Sequence, residues 1–469
     1  MTFKPDDAQK SHWRKVRSAF DPWHRSTPEE IGRLYAERPE SPSGKLAEQF
    51  DLLAERQYVR AVLCGARGAG KSTELARLHQ LMDERFAVLP FDLDGALPEG
   101  TGALALIAVI NVLAEAAVRF WSDPEAEETL ALAHHRKSRF DGAMSRLKIG
   151  TETVAEVIKA AAPWLKLLQG TTPVPDGTAE TAQAVSTGLT VLNQLLARMV
   201  ADAPALRAGA HPQHRADADE LILTTNASLA ALRDAAGKPA LFLLDGLDRT
   251  IKLDAVKGLF RDMDLLRRLD MNLVLCSPIA VRHEPALRAV AHEVQTVMLD
   301  NVPIRHNDAT HSPNEAGLAL LADIYRRRCA LWGLEEAIVD PAALRDAALM
   351  SAGLVRDFLD LLWRASAAAA FDPGQRISRP LMDAAIGEKR RLLQGFLKHD
   401  RTNLLLQVLR SQEWPEGPVA DELLFENFIA CYSNGDVWFR PHELLVDWLE
   451  RRHTEAAAHE RAAEAARGE

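Results

Sequence analysis

YVRAVLCGARGAGKSTELARLHQLMDE, residues 58–84, sets three patterns side by side. Tyr58 to Gly65 is a short apolar run ending in glycine, as expected of a strand buried on both faces of a parallel sheet. From Thr73 onward apolar residues recur at helical spacing. Between them Gly65-Ala66-Arg67-Gly68-Ala69-Gly70-Lys71-Ser72 fits GxxxxGK[ST], after a strand and opening a helix as that motif requires. Its glycines let successive N–H groups turn inward around a phosphate chain, in conformations a Cβ would obstruct. The helix N-terminus adds partial positive charge. This predicts a nucleotide cradle from Gly65 to Thr73, with Lys71 reaching the β- and γ-phosphates and the Ser72 hydroxyl ligating Mg²⁺. The bland alternative is a chance glycine-rich turn, and the flanking strand and helix argue against it.

On either side, strands and helices alternate. The patterns predict strands at Phe86–Asp94, Ala240–Gly246, Asn272–Ser277 and Val294–Asp300, and helices at Gly102–Trp121, Ala255–Leu269 and Pro285–Ala291. Five strands interleaved with helices specify an α/β fold, a mostly parallel sheet covered on both faces. LFLLDGLDR places Asp245 at a strand end, where a carboxylate holds Mg²⁺ through water. Asp248 is then either the group that orients or deprotonates the attacking water, or a cap for the next helix.

Past Pro303 the pattern turns helical, at Asn314–Leu331, Pro341–Leu349, Val355–Ala370 and Pro380–Phe396. Helices followed by Ser433-Asn434-Gly435-Asp436 between two β-prone runs predict a winged helix over about 397–452. The division expected is an irregular or helical lead-in (1–55), a P-loop domain (56–303) with a helical insertion near 122–235, a helical lid (304–396), the winged helix and an exposed helical tail (453–469).

With hhhhDGLD added to the loop, the chain resembles the additional-strand P-loop ATPases, a group that includes AAA+ and STAND proteins. DGLD is similar to the acidic motif of NACHT-type STAND ATPases, and Arg249 after Asp248 to the Asp–Arg ending of KAP-type ATPases. AAA+ enzymes carry Glu after the Mg²⁺ aspartate where this chain has Gly246, so the resemblance implies slow hydrolysis. It also implies a first sensor at Ser277, which closes NLVLCS and is equally an ordinary strand end. Gly353-Leu354-Val355-Arg356 resembles the sensor-two GxxR of AAA+ and replication-initiator ATPases, implying that Arg356 reaches from the lid to the γ-phosphate. Arg282 and Arg288 occupy the region of an arginine finger, where solvated helix arginines are also common.

Composition narrows the function. The 469 residues carry 47% hydrophobic and 26% charged residues, with a formal charge of −10. The winged-helix segment holds six basic against ten acidic residues, net −4, which disfavours nucleic acid because DNA readers show a basic face. Four scattered cysteines without a CxxC pair, and a polar start, lead us to expect a cytoplasmic protein without disulfides or structural zinc. Gly102–Val118 is the most apolar stretch, but Asn111 and Glu115 mark it as a buried helix rather than a membrane span. The expectation is an ATP/ADP- and Mg²⁺-binding switch controlling a protein partner or effector, with a nucleotide-dependent homo-oligomer as a further expectation. The resemblance extends this to bacterial signalling or antiphage defence. The alternatives are a DNA-associated AAA+ loader and a non-hydrolysing nucleotide-bound scaffold.

Overall fold

The computed structural model describes residues 6–24, 28–53, 57–97, 102–122, 139–145, 154–157, 159–161, 179–202, 215–249 and 253–454. The expected tail helix, most of the 122–178 part of the insertion, and His134 and His135, which the sequence did not mark as a metal site, lie outside them. The chain divides into two compact units, Pro42–Cys64 with Leu78–Val297, and Met1–Ser41 with Gly65–Arg77 and Met298–Glu469.

The first unit is built on the sheet. Its strands are β1 (Arg60–Gly65), β2 (Ala87–Asp92), β3 (Ala240–Asp245), β4 (Asn272–Pro278) and β5 (Val294–Leu299), in the order β2-β3-β4-β1-β5. β2, β3 and β4 run parallel, and β4 lies between β1 and β3. Every residue of β3 and β4 is buried, which is why both read as unbroken apolar runs rather than alternating ones.

Helix Ala103–Trp121 is long and apolar enough to cross a membrane, yet Ala103 to Val118 are buried inside the protein. Its two polar residues have partners there. The Ser228 hydroxyl lies 3.2 Å from Asn111 Oδ1 and donates to Glu115 Oε1 at 2.8 Å. Ser228 belongs to helix Arg215–Ala236, which packs along Ala103–Trp121 and against β3. Those residues were expected in the insertion, and the structure places them in the layer covering the sheet. The single helix expected at Ala255–Leu269 is two, Leu253–Arg261 and Met263–Leu266, separated at Asp262. Aspartate competes with the helix backbone for hydrogen bonds and favours such breaks.

The second unit gathers four lid helices, Glu315–Leu331, Pro341–Met350, Val355–Ala369 and Arg379–Gly395. Tyr325, Phe358, Leu361, Leu362 and Met382 form their core, and Trp13, Val16 and Phe20 of the N-terminal segment enter the same core. The lead-in is more ordered than its composition suggested. Helix Asp7–Ala19 starts with a capping box, the Asp6 carboxylate accepting from the Gln9 amide and the Gln9 side chain from that of Asp6. Helix Pro28–Leu34 follows, while helix Pro42–Leu53 belongs to the first unit.

The C-terminal module reads helix–helix–hairpin–helix, the winged-helix order. Helices His399–Ser411 and Pro418–Phe425 precede the antiparallel pair β6 (Ile429–Tyr432) and β7 (Trp438–Pro441), and a helix follows over 443–454. Trp438 is buried on the hairpin and Trp414 packs edge-on against Phe439. All four cysteines are buried and none is in a disulfide. Among the described residues, no group of three His, Cys, Asp or Glu could hold a metal ion.

Candidate functional site: a phosphate loop and an acidic strand end

The phosphate loop leaves β1 and enters helix Lys71–Met82. Gly68 and Gly70 adopt φ of +89° and +111°, the left-handed region that glycine tolerates. A Cβ on Gly68 would come within 2.6 Å of the Arg356 Cβ. The loop's shape is held through its carbonyls. The buried Lys71 ammonium donates to the Gly65 and Ala66 oxygens at 2.9 and 3.0 Å. Asn427 Nδ2 donates to the Arg67 oxygen at 2.6 Å, and the Arg356 N–H donates to the Gly68 oxygen at 3.1 Å. Arg38 donates to the Ala69 oxygen at 2.6 Å, and the Glu74 N–H closes on the Gly70 oxygen at 3.0 Å.

A trans peptide is planar, so its C=O and the next residue's N–H point in opposite directions. Pinning the carbonyls of Arg67, Gly68, Ala69 and Gly70 outward therefore turns the N–H groups of Gly68 through Lys71 the other way. The Ala69 N–H bends back to the Ala66 oxygen. The remaining N–H groups face away from those carbonyls, the arrangement a phosphate nest requires. Ser72 is exposed at the helix start and Thr73 half-buried behind it.

Of the predicted residues, Arg356 is brought to this loop by its backbone, in the first turn of helix Val355–Ala369. Gly353 makes that approach feasible. Its φ is +72°, its carbonyl accepts from the Val302 N–H, and a Cβ there would strike the Val302 oxygen at 2.0 Å. One residue on, Asp357 accepts from Lys389 at 3.1 Å and meets His442 Nε2 at 3.0 Å. Burial alone would raise the Asp357 pKa, but Lys389 and His442 outweigh it and hold the carboxyl well below its ordinary range.

Sequence reasoning missed Arg38, Glu74 and Asn427. Arg38 is pushed down in pKa by burial and steadied by Glu74, whose carboxylate also takes hydrogen bonds from Tyr35 and Ser41. An arginine in the otherwise irregular ERPE stretch was the only trace of this contact.

Asp245 sits in the other compact unit, at the end of β3 in register with Asp92 at the end of β2. Two neighbouring carboxylates need a cation, and Arg249 supplies it, 2.7 Å from Asp92 Oδ2 and 2.6 Å from Asp245 Oδ2. Burial pulls the Arg249 pKa down, while Asp245, Asp92 and Asp248 raise it well above its ordinary value. Gly246 adopts φ +94°, and a Cβ there would lie 2.2 Å from Asp92 Oδ1. A side chain there, including the glutamate AAA+ enzymes carry at this place, would have to displace the Asp92 carboxylate and crowd the Asp94 amide in a backbone conformation that disfavours it. Asp248 is buried, five residues before the next helix begins at Leu253. Ser277 is fully buried near the end of β4, its hydroxyl 3.4 Å from the Pro278 oxygen. Arg282 follows a short 3₁₀ turn, and Arg288 is exposed 3.1 Å from His283.

The Ser72 hydroxyl and the Asp245 carboxylate are each hard oxygen donors of the kind Mg²⁺ prefers. Arg249 already occupies one Asp245 oxygen, so any such ion shares that carboxylate with a guanidinium.

No protein-family model matches this chain, and no curated protein matches it. Similar solved structures include Cdc6p from Pyrobaculum aerophilum, at 13% identity and TM-score 0.35, covering 93% of this chain and 98% of that one. Another is the Aeropyrum pernix Orc1 protein in complex with DNA, at 13% identity and TM-score 0.38, covering 93% and 97%. At these values the likeness carries no argument about this chain.

Proposed function

We propose that this chain is an ATP- and ADP-binding P-loop ATPase of the AAA+ kind, working as a slow nucleotide switch. The observation that carries it is the loop itself, whose outward-pinned carbonyls turn a row of N–H groups together above Lys71. In this reading the backbone from Gly65 to Thr73 binds the phosphates. Lys71 leaves its carbonyl partners to neutralise the β- and γ-oxygens, and Ser72 and Asp245 hold Mg²⁺. Arg356 reports the γ-phosphate, because a guanidinium that pairs with a triphosphate loses a partner in the diphosphate. Mg²⁺, when bound, neutralises phosphate charge. Asp248 remains the carboxylate proposed to orient water, since Gly246 carries none. The narrower STAND assignment, with signalling or antiphage defence, rests on the DGLD resemblance alone.

Denaturing freshly purified protein and quantifying released nucleotide tests the switch. Near-stoichiometric ADP supports a closed, slowly exchanging state. An empty site that turns over added ATP freely overturns it in favour of a motor or loader.

A second reading, a DNA-associated AAA+ ATPase, is favoured by the order of modules, sheet with phosphate loop, helical lid with Gly353 and Arg356, then winged helix. Against this, the helix before the hairpin, Pro418–Phe425, carries Asp421 and Glu422 and no basic residue. Duplex binding whose affinity falls steeply with salt would establish this reading, and no binding at low salt would remove it.

A further inference from the structure

Asn427 lies in the turn between helix Pro418–Phe425 and β6, with a positive φ of 64°. Its carboxamide meets the phosphate-loop residue Arg67 twice. The Oδ1 accepts from the Arg67 N–H at 3.2 Å, and the Nδ2 donates to the Arg67 carbonyl at 2.6 Å. The side chain thus imitates a neighbouring β-strand toward one loop residue. We propose that Asn427 is a positioning residue for nucleotide binding, fixing the Arg67 carbonyl so that the Gly68 N–H faces the phosphates and coupling nucleotide occupancy to the winged-helix hairpin.

Three observations converge on this. The Asn427 bonds are to backbone, so they act on loop geometry whatever the Arg67 side chain does. Asn427 lies directly before the hairpin strand that anchors the module, because the Cys431 oxygen accepts the Asn301 N–H at 2.9 Å and the Tyr432 hydroxyl donates to the Ala352 oxygen at 3.1 Å. Ala352 immediately precedes Gly353, so loop and lid are gripped from one hairpin. A second tie runs from the same module to the residue after Arg356, through His442 and Asp357. Binding free energies are reciprocal. If the hairpin shapes the loop that holds nucleotide, nucleotide must in turn steady the hairpin.

This inference rests on the nucleotide-binding reading, and its test separates the two. Asn427→Gly removes the carboxamide while suiting the left-handed backbone, so the fold is preserved. In the full-length chain we expect a melting temperature lowered by only a few degrees without nucleotide and ADP release about tenfold faster, the scale of one to two lost hydrogen bonds. Hydrogen exchange at residues 429–441 should slow on adding ADP in the wild type, and not in Asn427→Gly. Asn427→Asp keeps the acceptor and loses the donor, so it should release ADP at an intermediate rate. Release from Asn427→Gly at the wild-type rate, loss of a cooperative melting transition without nucleotide, or hairpin exchange indifferent to ADP in the wild type would each overturn the proposal. A wild-type chain that binds neither ADP nor ATP would instead overturn the nucleotide-binding reading itself.

Discussion

The phosphate loop and the acidic strand end solve opposite problems with opposite economies. The loop must hold an uncharged backbone in a shape no helix or strand supplies. It does so with many modest hydrogen bonds from segments far apart in sequence, Arg38, Arg356 and Asn427 among them. The strand end must keep two neighbouring carboxylates side by side, and one guanidinium bridges both, with the Asp94 N–H also donating to Asp92. Order in the first is distributed, so loss of one peripheral donor should alter ligand binding more than folding. In the second it is concentrated, so loss of Arg249 should be felt by the whole fold.

The largest effect is therefore expected at Arg249. Arg249→Met leaves Asp92 and Asp245 facing each other and should cost about 3–5 kcal/mol in urea unfolding. A cost as small as that of a surface substitution would break the contrast at once. Lys71→Ala should leave the fold intact and weaken ADP binding about a hundredfold, near 2.7 kcal/mol, by calorimetric titration. A collapse in melting temperature would instead point to the scaffold alternative. Gly246→Ala should destabilise by about 2 kcal/mol, because the methyl meets Asp92 and the left-handed backbone disfavours alanine. Thermal unfolding measures this.

Arg356→Ala should weaken ATP binding about tenfold and ADP binding much less. Equal losses for both nucleotides would remove the sensor role. The smallest effect concerns acid. Asp357 is held below its ordinary value of 3.8, so its contribution is full above that pH and is lost as pH falls below it. Asp357→Asn should lower stability by about 1 kcal/mol at neutral pH and flatten the acid limb of the melting curve.

Legibility in the sequence followed the range of the interactions. Strand ends and lid helices lie within two or three residues of their expected places, because periodicity and glycine placement are local signals. The Gly353–Arg356 spacing announced the lid turn that reaches Gly68. Asn427 did not announce itself, since its partner lies 360 residues away and neither sits in a repeating pattern. The Asp92–Arg249–Asp245 triad was half visible. Arg249 was noted for its likeness to the Asp–Arg ending of KAP-type ATPases, while Asp92 drew no attention because strand order, not strand sequence, sets it beside Asp245. Gly246 read as a missing glutamate and is in fact a left-handed turn crowded by Asp92.

The four buried cysteines carry an experimental consequence. Burial pushes the Cys329 thiol up to about 11, so little of it is thiolate at neutral pH and it should resist maleimide reagents. The native chain is then already a quiet background for spectroscopic labels. A single cysteine in place of the exposed Val437, at the hairpin tip, would carry a fluorophore or spin label without prior removal of native thiols. The wing could be followed in real time as nucleotide comes and goes.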